Sequence, residues 1–244
     1  MKNTEVSFEG EFLRFLKCLQ EADCLDEIII IGSWAEYLYD KCNVIENYEA
    51  KIQTIDLDVL IPEVNRNKQK LPLIEICKRE GYIYDEDRIT GASRLIGREN
   101  FEIEFLTPQV GDGTRKIPRT KLGVNAQQIS HLSLLKKYTI KISFNGMKIR
   151  VPTPEAYVLQ KMVVNEMRGI KAKKDRLHIE RIMPHLDDIK LNECKTNLTK
   201  KESTMFSRYN SGTYQSEQKV LNATDNTPDK KTNSKKKSPH RSKR

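Results

Sequence analysis

Two aspartates, Asp56 and Asp58, stand two residues apart in the run Thr54-Ile55-Asp56-Leu57-Asp58-Val59-Leu60-Ile61. β-Branched and apolar residues dominate this run and Pro62 closes it, so it reads as a strand. Positions i and i+2 of a strand share a face, which sets the two carboxylates side by side. Such a pair repels itself and resists burial unless positive charge lies between its members. A divalent cation meets that need, and hard oxygen ligands suit Mg²⁺ or Mn²⁺. The plainer alternative is a solvated edge-strand face. A second acidic strand, Phe101-Glu102-Ile103-Glu104-Phe105-Leu106, ends at Thr107-Pro108 and puts Glu102 and Glu104 on one face. Two-metal phosphoryl transfer needs a third carboxylate from a neighbouring strand. Glu104, in mid-strand, is the first choice and Glu102 the runner-up, against the same solvated alternative.

Groups that could receive phosphate lie on either side of this acidic pair. Ile28-Ile29-Ile30-Ile31 reads as a strand buried on both faces, Gly32-Ser33 breaks it, and a helix follows from Trp34 to about Cys42. Gly32 lets backbone come close to a ligand, while Ser33 either caps the helix or offers its hydroxyl to a phosphate at the helix start. Pro152-Thr153-Pro154-Glu155 opens a later helix running to about Arg168. Its Lys161 and Arg168 are seven residues apart on one face, placed to meet nucleotide phosphates or simply to form a solvated stripe. The loop 109–121 adds Arg115, Lys116, Arg119 and Lys121, most simply a solvated patch.

The elements that must hold these groups follow from periodicity and punctuation. Phe8, Phe12, Phe15, Leu16 and Leu19 mark an amphipathic helix over 7–22. A helix over 71–80 stops at Gly81, and short strands follow at 82–84 and 93–96. Asn145-Gly146 turns a hairpin between 138–144 and 147–151. A helix with Leu177, Ile179, Ile182 and Met183 as apolar members reaches Pro184, and a last short helix covers 188–198.

The chain has 244 residues and a formal charge of +9. Residues 195–244 hold 13 Lys+Arg against 4 Asp+Glu, so this end carries the whole excess. From about 199 the composition turns to Ser, Thr, Asn and Lys, which builds no core and reads as a disordered basic tail. Such a tail attracts RNA or another polyanion, or serves only as a solvated end. The five cysteines include no Cys-x-x-Cys pair, which argues against a disulfide framework or structural zinc and fits a cytoplasmic setting. The polar start lacks a signal-peptide core, and no run approaches the ~20 apolar residues of a membrane helix.

The order and spacing of these motifs resemble the DNA polymerase β-like nucleotidyltransferase superfamily. Gly32-Ser33 at a strand end, Asp56-x-Asp58 on the next strand and a later acidic strand carry the likeness. Thr54 before the aspartates, Glu104-Phe105-Leu106-Thr107-Pro108, Pro154-Glu155 with Lys161, and Lys174-Asp175 narrow it. They are similar to bacterial minimal nucleotidyltransferases, including toxin-type members of the abortive-infection and type IV toxin–antitoxin group. The resemblance covers residues 25–190. It departs in the bulky Ser33-Trp34, in Glu rather than Asp as third acid, and in the second acid of the Lys-Asp helix, for which Glu180 and Asp187 are the candidates.

The resemblance implies an α+β fold, with a mixed sheet flanked by helices, a small C-terminal helical region and the basic tail. The expected units are a nucleotidyltransferase core at 1–150, helices completing the site at 151–198, and a disordered tail at 199–244. The implied reaction moves a nucleoside monophosphate from an NTP to a hydroxyl of RNA, protein or a small molecule, releasing pyrophosphate. Asp56, Asp58 and Glu104 would hold the Mg²⁺ or Mn²⁺ ions, with Gly32, Ser33, Lys161, Arg168 and Asp175 at the nucleotide. An antitoxin protein is an implied partner. The rival readings are a non-catalytic nucleic-acid binder acting through its tail and a degenerate nucleotidyltransferase that only binds NTP.

Overall fold

The computed structural model describes residues 8–50, 54–64, 70–109, 111 and 118–212. The amphipathic stripe of the first segment forms α1 (Phe8–Glu21), which buries Phe12, Phe15, Leu16 and Leu19. The isoleucine run supplies β1 (Ile29–Ile30), buried on both faces, and leads directly into α2 (Gly32–Lys41). The paired aspartates lie on β2 (Asp56–Leu60). Next come α3 (Leu73–Arg79), β3 (Ile83–Glu86), β4 (Ser93–Ile96) and the second acidic strand, β5 (Glu102–Pro108). A short β6 (Gln127–Ile129) and α4 (Ser133–Lys137) lead to the hairpin of β7 (Thr139–Phe144) and β8 (Met147–Pro152). Asn145 and Gly146 take φ of 48° and 76°, as a tight primed turn requires.

Four helices finish the described chain: α5 (Pro154–Val164), α6 (Lys171–Ile182), α7 (Asp188–Thr196) and α8 (Lys200–Ser211). Thr153 caps α5, its hydroxyl accepting from the Ala156 amide, and Pro154 fills the first turn.

The main sheet runs β1-β2-β5-β4-β3, with β6 alongside the far end of β5. It is mixed: β2 and β5 are parallel, as are β5 and β6, while β1–β2, β4–β5 and β3–β4 are antiparallel. Alternation along β2 sends Leu57 and Val59 into a core shared with α1, α2 and α3. Leu60 of the opposite face joins Leu106 in a second cluster with Leu134, Leu159 and Leu191. The expected α+β architecture of a mixed sheet flanked by helices is therefore what the chain adopts. No described helix is long and apolar enough to cross a membrane.

Two expectations need correction. The stretch expected to be unstructured from 199 begins with a helix. Thr199 and Glu202 form a capping box at the start of α8, Met205 is buried and Phe206 packs beside it. The Ser/Thr-rich composition of 199–211 hid a short apolar stripe, Met205-Phe206 with Tyr209. The rest of the basic tail, 213–244, lies outside the described residues. Leu177, expected among the apolar members of α6, is 52% exposed, because that helix turns its polar residues Asp175 and His178 inward.

Candidate active site

Gly32 makes the first turn of the site. Its φ is +66°, and a Cβ added there would overlap Asp58 Oδ2 and lie 3.2 Å from Asp58 Cγ. Only glycine fits this approach. The Ile31 amide bonds the Asp58 carbonyl at 3.1 Å, locking the turn to β2. Ser33 does not cap the helix: Ile31 occupies the N-cap position and no side chain bonds there. Ser33 instead faces a cleft of about 300 Å³. The bulky Trp34 turns away from it and stacks on Phe12 in the core, ring centroids 4.5 Å apart.

Asp56, Asp58 and Glu104 all line that cleft. The parallel register of β2 and β5 sets Asp58 directly opposite Glu104 and Asp56 opposite Glu102. Arg94 of β4 stands across from Glu104 in the ladder, yet its guanidinium pairs with Asp85 at 2.7 Å and with Glu102 at 2.8 Å. That pairing removes Glu102, the runner-up, from the unpaired acids and leaves Glu104 in that position. The surrounding protein desolvates the Asp58 carboxyl and pushes its pKa up, with repulsion from Asp56 added and Arg168 and Lys161 opposing. Glu104 is pushed up by desolvation first and then by Asp58, Glu102 and Asp56. Among the described residues, no group of three or more His, Cys, Asp or Glu side chains stands in an arrangement that could hold a metal ion. The three carboxylates offer hard oxygen donors, the type taken by divalent cations that complete their shell with water and substrate phosphate, and among the described residues no cation is bonded to them.

The opposite wall of the cleft is cationic. Lys161 of α5 and Arg168, in the turn before α6, each bond one oxygen of Asp175, at 2.7 and 2.8 Å. Burial opposes the Asp175 charge, but these two partners outweigh it and hold the carboxyl below its ordinary value. Asp175 thus anchors both cations on this wall, one at each of its oxygens. Lys161 also lies over the Tyr157 ring, 4.9 Å from its centroid.

Sequence reasoning assigned no site role to Lys171, Gln160 and His178, and used Lys174 only as part of the Lys174-Asp175 motif; all four line the same cleft. The spacing of 171, 174, 175 and 178 along α6 was the available signal, since i, i+3, i+4 and i+7 share a helix face. Of the second-acid candidates, Asp187 caps α7 with its side chain. Of the basic loop's described residues, neither Arg119 nor Lys121 lines the cleft, and Lys121 pairs with Glu27; Arg115 and Lys116 lie outside the described residues.

A sequence model described as nucleotidyltransferase matches residues 11–196. Comparison with curated proteins finds no match. Among solved structures, ANT(2″)-Ia in complex with adenylyl-2″-tobramycin aligns at a TM-score of 0.46 and 14% identity, covering 82% of this chain and 97% of that one. An antigenic nucleotidyltransferase-like protein from Paracoccidioides brasiliensis aligns at 0.41 and 14%, covering 82% and 91%. The family match spans both acidic strands, the Gly32–Ser33 turn and the cationic wall, and on it the chain belongs to the nucleotidyltransferase family.

Proposed function

We propose that this nucleotidyltransferase is metal-dependent, moving a nucleoside monophosphate from an NTP to an acceptor hydroxyl in the cleft between the acidic strands and α5–α6. One observation carries the reading: Asp58 and Glu104 face each other in register beside Asp56, with no cation among the described residues bonded to any of them, while Lys161 and Arg168 across the cleft are held by Asp175. Unpaired anions facing tethered cations suit a ligand that brings both signs, such as a metal-bound triphosphate.

In this reading Asp56, Asp58 and Glu104 hold Mg²⁺ or Mn²⁺. When bound, such ions neutralise phosphate charge and lower the pKa of an attacking hydroxyl. Gly32 and Ser33 bring backbone and hydroxyl close to the terminal phosphates. Lys161 and Arg168, with Lys171 and Lys174 lining the same cleft, offset charge gathering on the departing pyrophosphate. Positioning and electrostatics supply most of the rate enhancement. Residues 1–150 would form the nucleotidyltransferase core and 151–198 the helical region completing the site. The acceptor is a hydroxyl of RNA, protein or a small molecule. A toxin role with an antitoxin partner rests on the motif resemblance.

The test is acceptor capture. The full chain is incubated with Mg²⁺, cell lysate and each of the four labelled NTPs. Label should pass to one class of acceptor with one preferred NTP, and Asp56→Ala or Asp58→Ala should abolish it. Equal labelling by the Asp56→Ala chain would overturn the proposal.

A further inference from the structure

Beneath the first two turns of α2 lies a polar cluster with no part in the mechanism above. Glu36, one turn beyond Ser33, is only 2% exposed. Its carboxylate is bonded by His178 Nδ1, the Tyr48 hydroxyl and Arg181 Nη2, and by the Tyr157 hydroxyl at 3.3 Å. Burial alone would raise the Glu36 carboxyl, but His178, Tyr48 and Arg181 together hold it below its ordinary value. Glu36 is therefore an anion, and an anion only accepts hydrogen bonds. Nδ1 of His178 must then carry its proton, which leaves Nε2 as the free end of the ring.

A histidine satisfied on one side by a buried carboxylate can be plain core architecture. Two features separate His178 from that. Its ring lines the cleft, and Nε2 has no protein partner among the described residues. Its place is also specific. One turn earlier on the same helix face, Asp175 tethers Lys161 and Arg168. Through Glu36 it is tied to the helix that opens with Gly32 and Ser33. His178 thus stands where the glycine turn meets the cationic wall.

We propose that His178 is a polyphosphate-contacting residue: its Nε2–H, at the end of the ring away from Glu36, donates a hydrogen bond to the pyrophosphate portion of the bound nucleotide. The proposal rests on the nucleotidyl-transfer reading and adds one contact to it. The ligand class is a di- or triphosphate tail. A monophosphate held at the aspartates lacks the phosphates that reach this corner. The charged and titratable groups facing the ring or its carboxylate are Glu36 from α2, Tyr157 from α5, Asp175 and Arg181 from α6, and Tyr48 from the connection after α2.

The test uses the full chain with Mg²⁺ and inorganic pyrophosphate, and inorganic phosphate as control. Long-range ¹H–¹⁵N spectra follow the His178 ring of the wild-type chain, and calorimetry follows binding to wild type and to His178→Gln. Pyrophosphate should shift the Nε2 resonance of the His178 ring, and inorganic phosphate should not. His178→Gln should weaken pyrophosphate binding about tenfold, in keeping with loss of a charge-assisted bond. The wild-type spectra need no variant, so a poorly folding His178→Gln chain leaves the proposal exposed to them. Pyrophosphate binding with an unmoved His178 ring overturns this inference alone. A wild-type chain that binds neither pyrophosphate nor any NTP overturns it together with the nucleotide reading.

Discussion

Asp58 and Glu104 stand opposite each other on adjacent parallel strands, and among the described residues no cationic side chain bonds either one. The nearest candidate by register, Arg94, gives its guanidinium to Asp85 and Glu102. The fold thus maintains a repulsion it has the means to quench. Proteins commonly carry such a cost at functional sites and recover stability when it is removed.

That cost sets a sign for Asp58. Desolvation and Asp56 raise its pKa in the folded state. A carboxyl raised on folding weakens the fold where it is charged, and the penalty lifts as pH falls through the raised value. Asp58→Asn removes it at neutral pH. The variant should melt a few degrees above wild type, on the order of 1 kcal/mol, while transfer falls to background. Thermal denaturation at pH 7 beside the labelling assay checks both; a lower melting point would contradict this reading of Asp58.

Gly32→Ala should cost roughly 1–3 kcal/mol, from a left-handed backbone and from collision with Asp58. Much of that cost comes from one neighbour. In a double-mutant cycle, Asp58→Ala should therefore relieve part of the Gly32→Ala penalty, giving non-additivity of at least about 0.5 kcal/mol. Strict additivity in urea unfolding would show that the glycine is needed for its φ alone.

Lys161 and Asp175 are both largely buried, with side-chain exposures of 10% and 4%. Lys161→Met leaves Asp175 with Arg168 alone and should cost about 3 kcal/mol in denaturant unfolding at pH 7. Asp175 is lowered on folding, so its contribution is present above its unfolded pKa and fades as pH falls through the lower folded value. Asp175→Asn should flatten the loss of stability below about pH 4 and raise KM for NTP, because the two cations lose their anchor.

Helix α8 separates two truncations. Removal of everything after Gly212 should leave the melting temperature unchanged. Removal after Leu198 also takes Met205, Phe206 and Glu202, which bonds His131 at 2.9 Å, and should lower it by several degrees. If labelling of a nucleic-acid acceptor weakens in the first chain, with NTP affinity unchanged, the basic tail serves the acceptor.

Most of the fold was legible because its signals are local. The isoleucine run, the alternation at Asp56–Leu60 and Glu102–Leu106, Asn145-Gly146 and the Thr153-Pro154 start each act within a few residues, and each formed the element expected. The pairing of Glu104 with Asp58 and of Glu102 with Arg94 was not legible. It depends on strand order and register, which no single strand encodes. The same holds for Glu36 and His178, which meet across 142 positions of sequence. Helix α8 was missed for a different reason: its Thr199-x-x-Glu202 capping signature is plain, but the lysines and serines around it outweighed three apolar residues.

The most direct test of the central claim, that three unpaired carboxylates gather divalent metal and nucleotide in one cleft, is a calorimetric titration of the full chain with each NTP, with and without Mg²⁺. Binding of at least one NTP should appear only with Mg²⁺ and should vanish in the Asp56→Asn/Asp58→Asn chain. Equal binding without the metal, or full Mg²⁺-dependent binding after both aspartates are replaced, would contradict it.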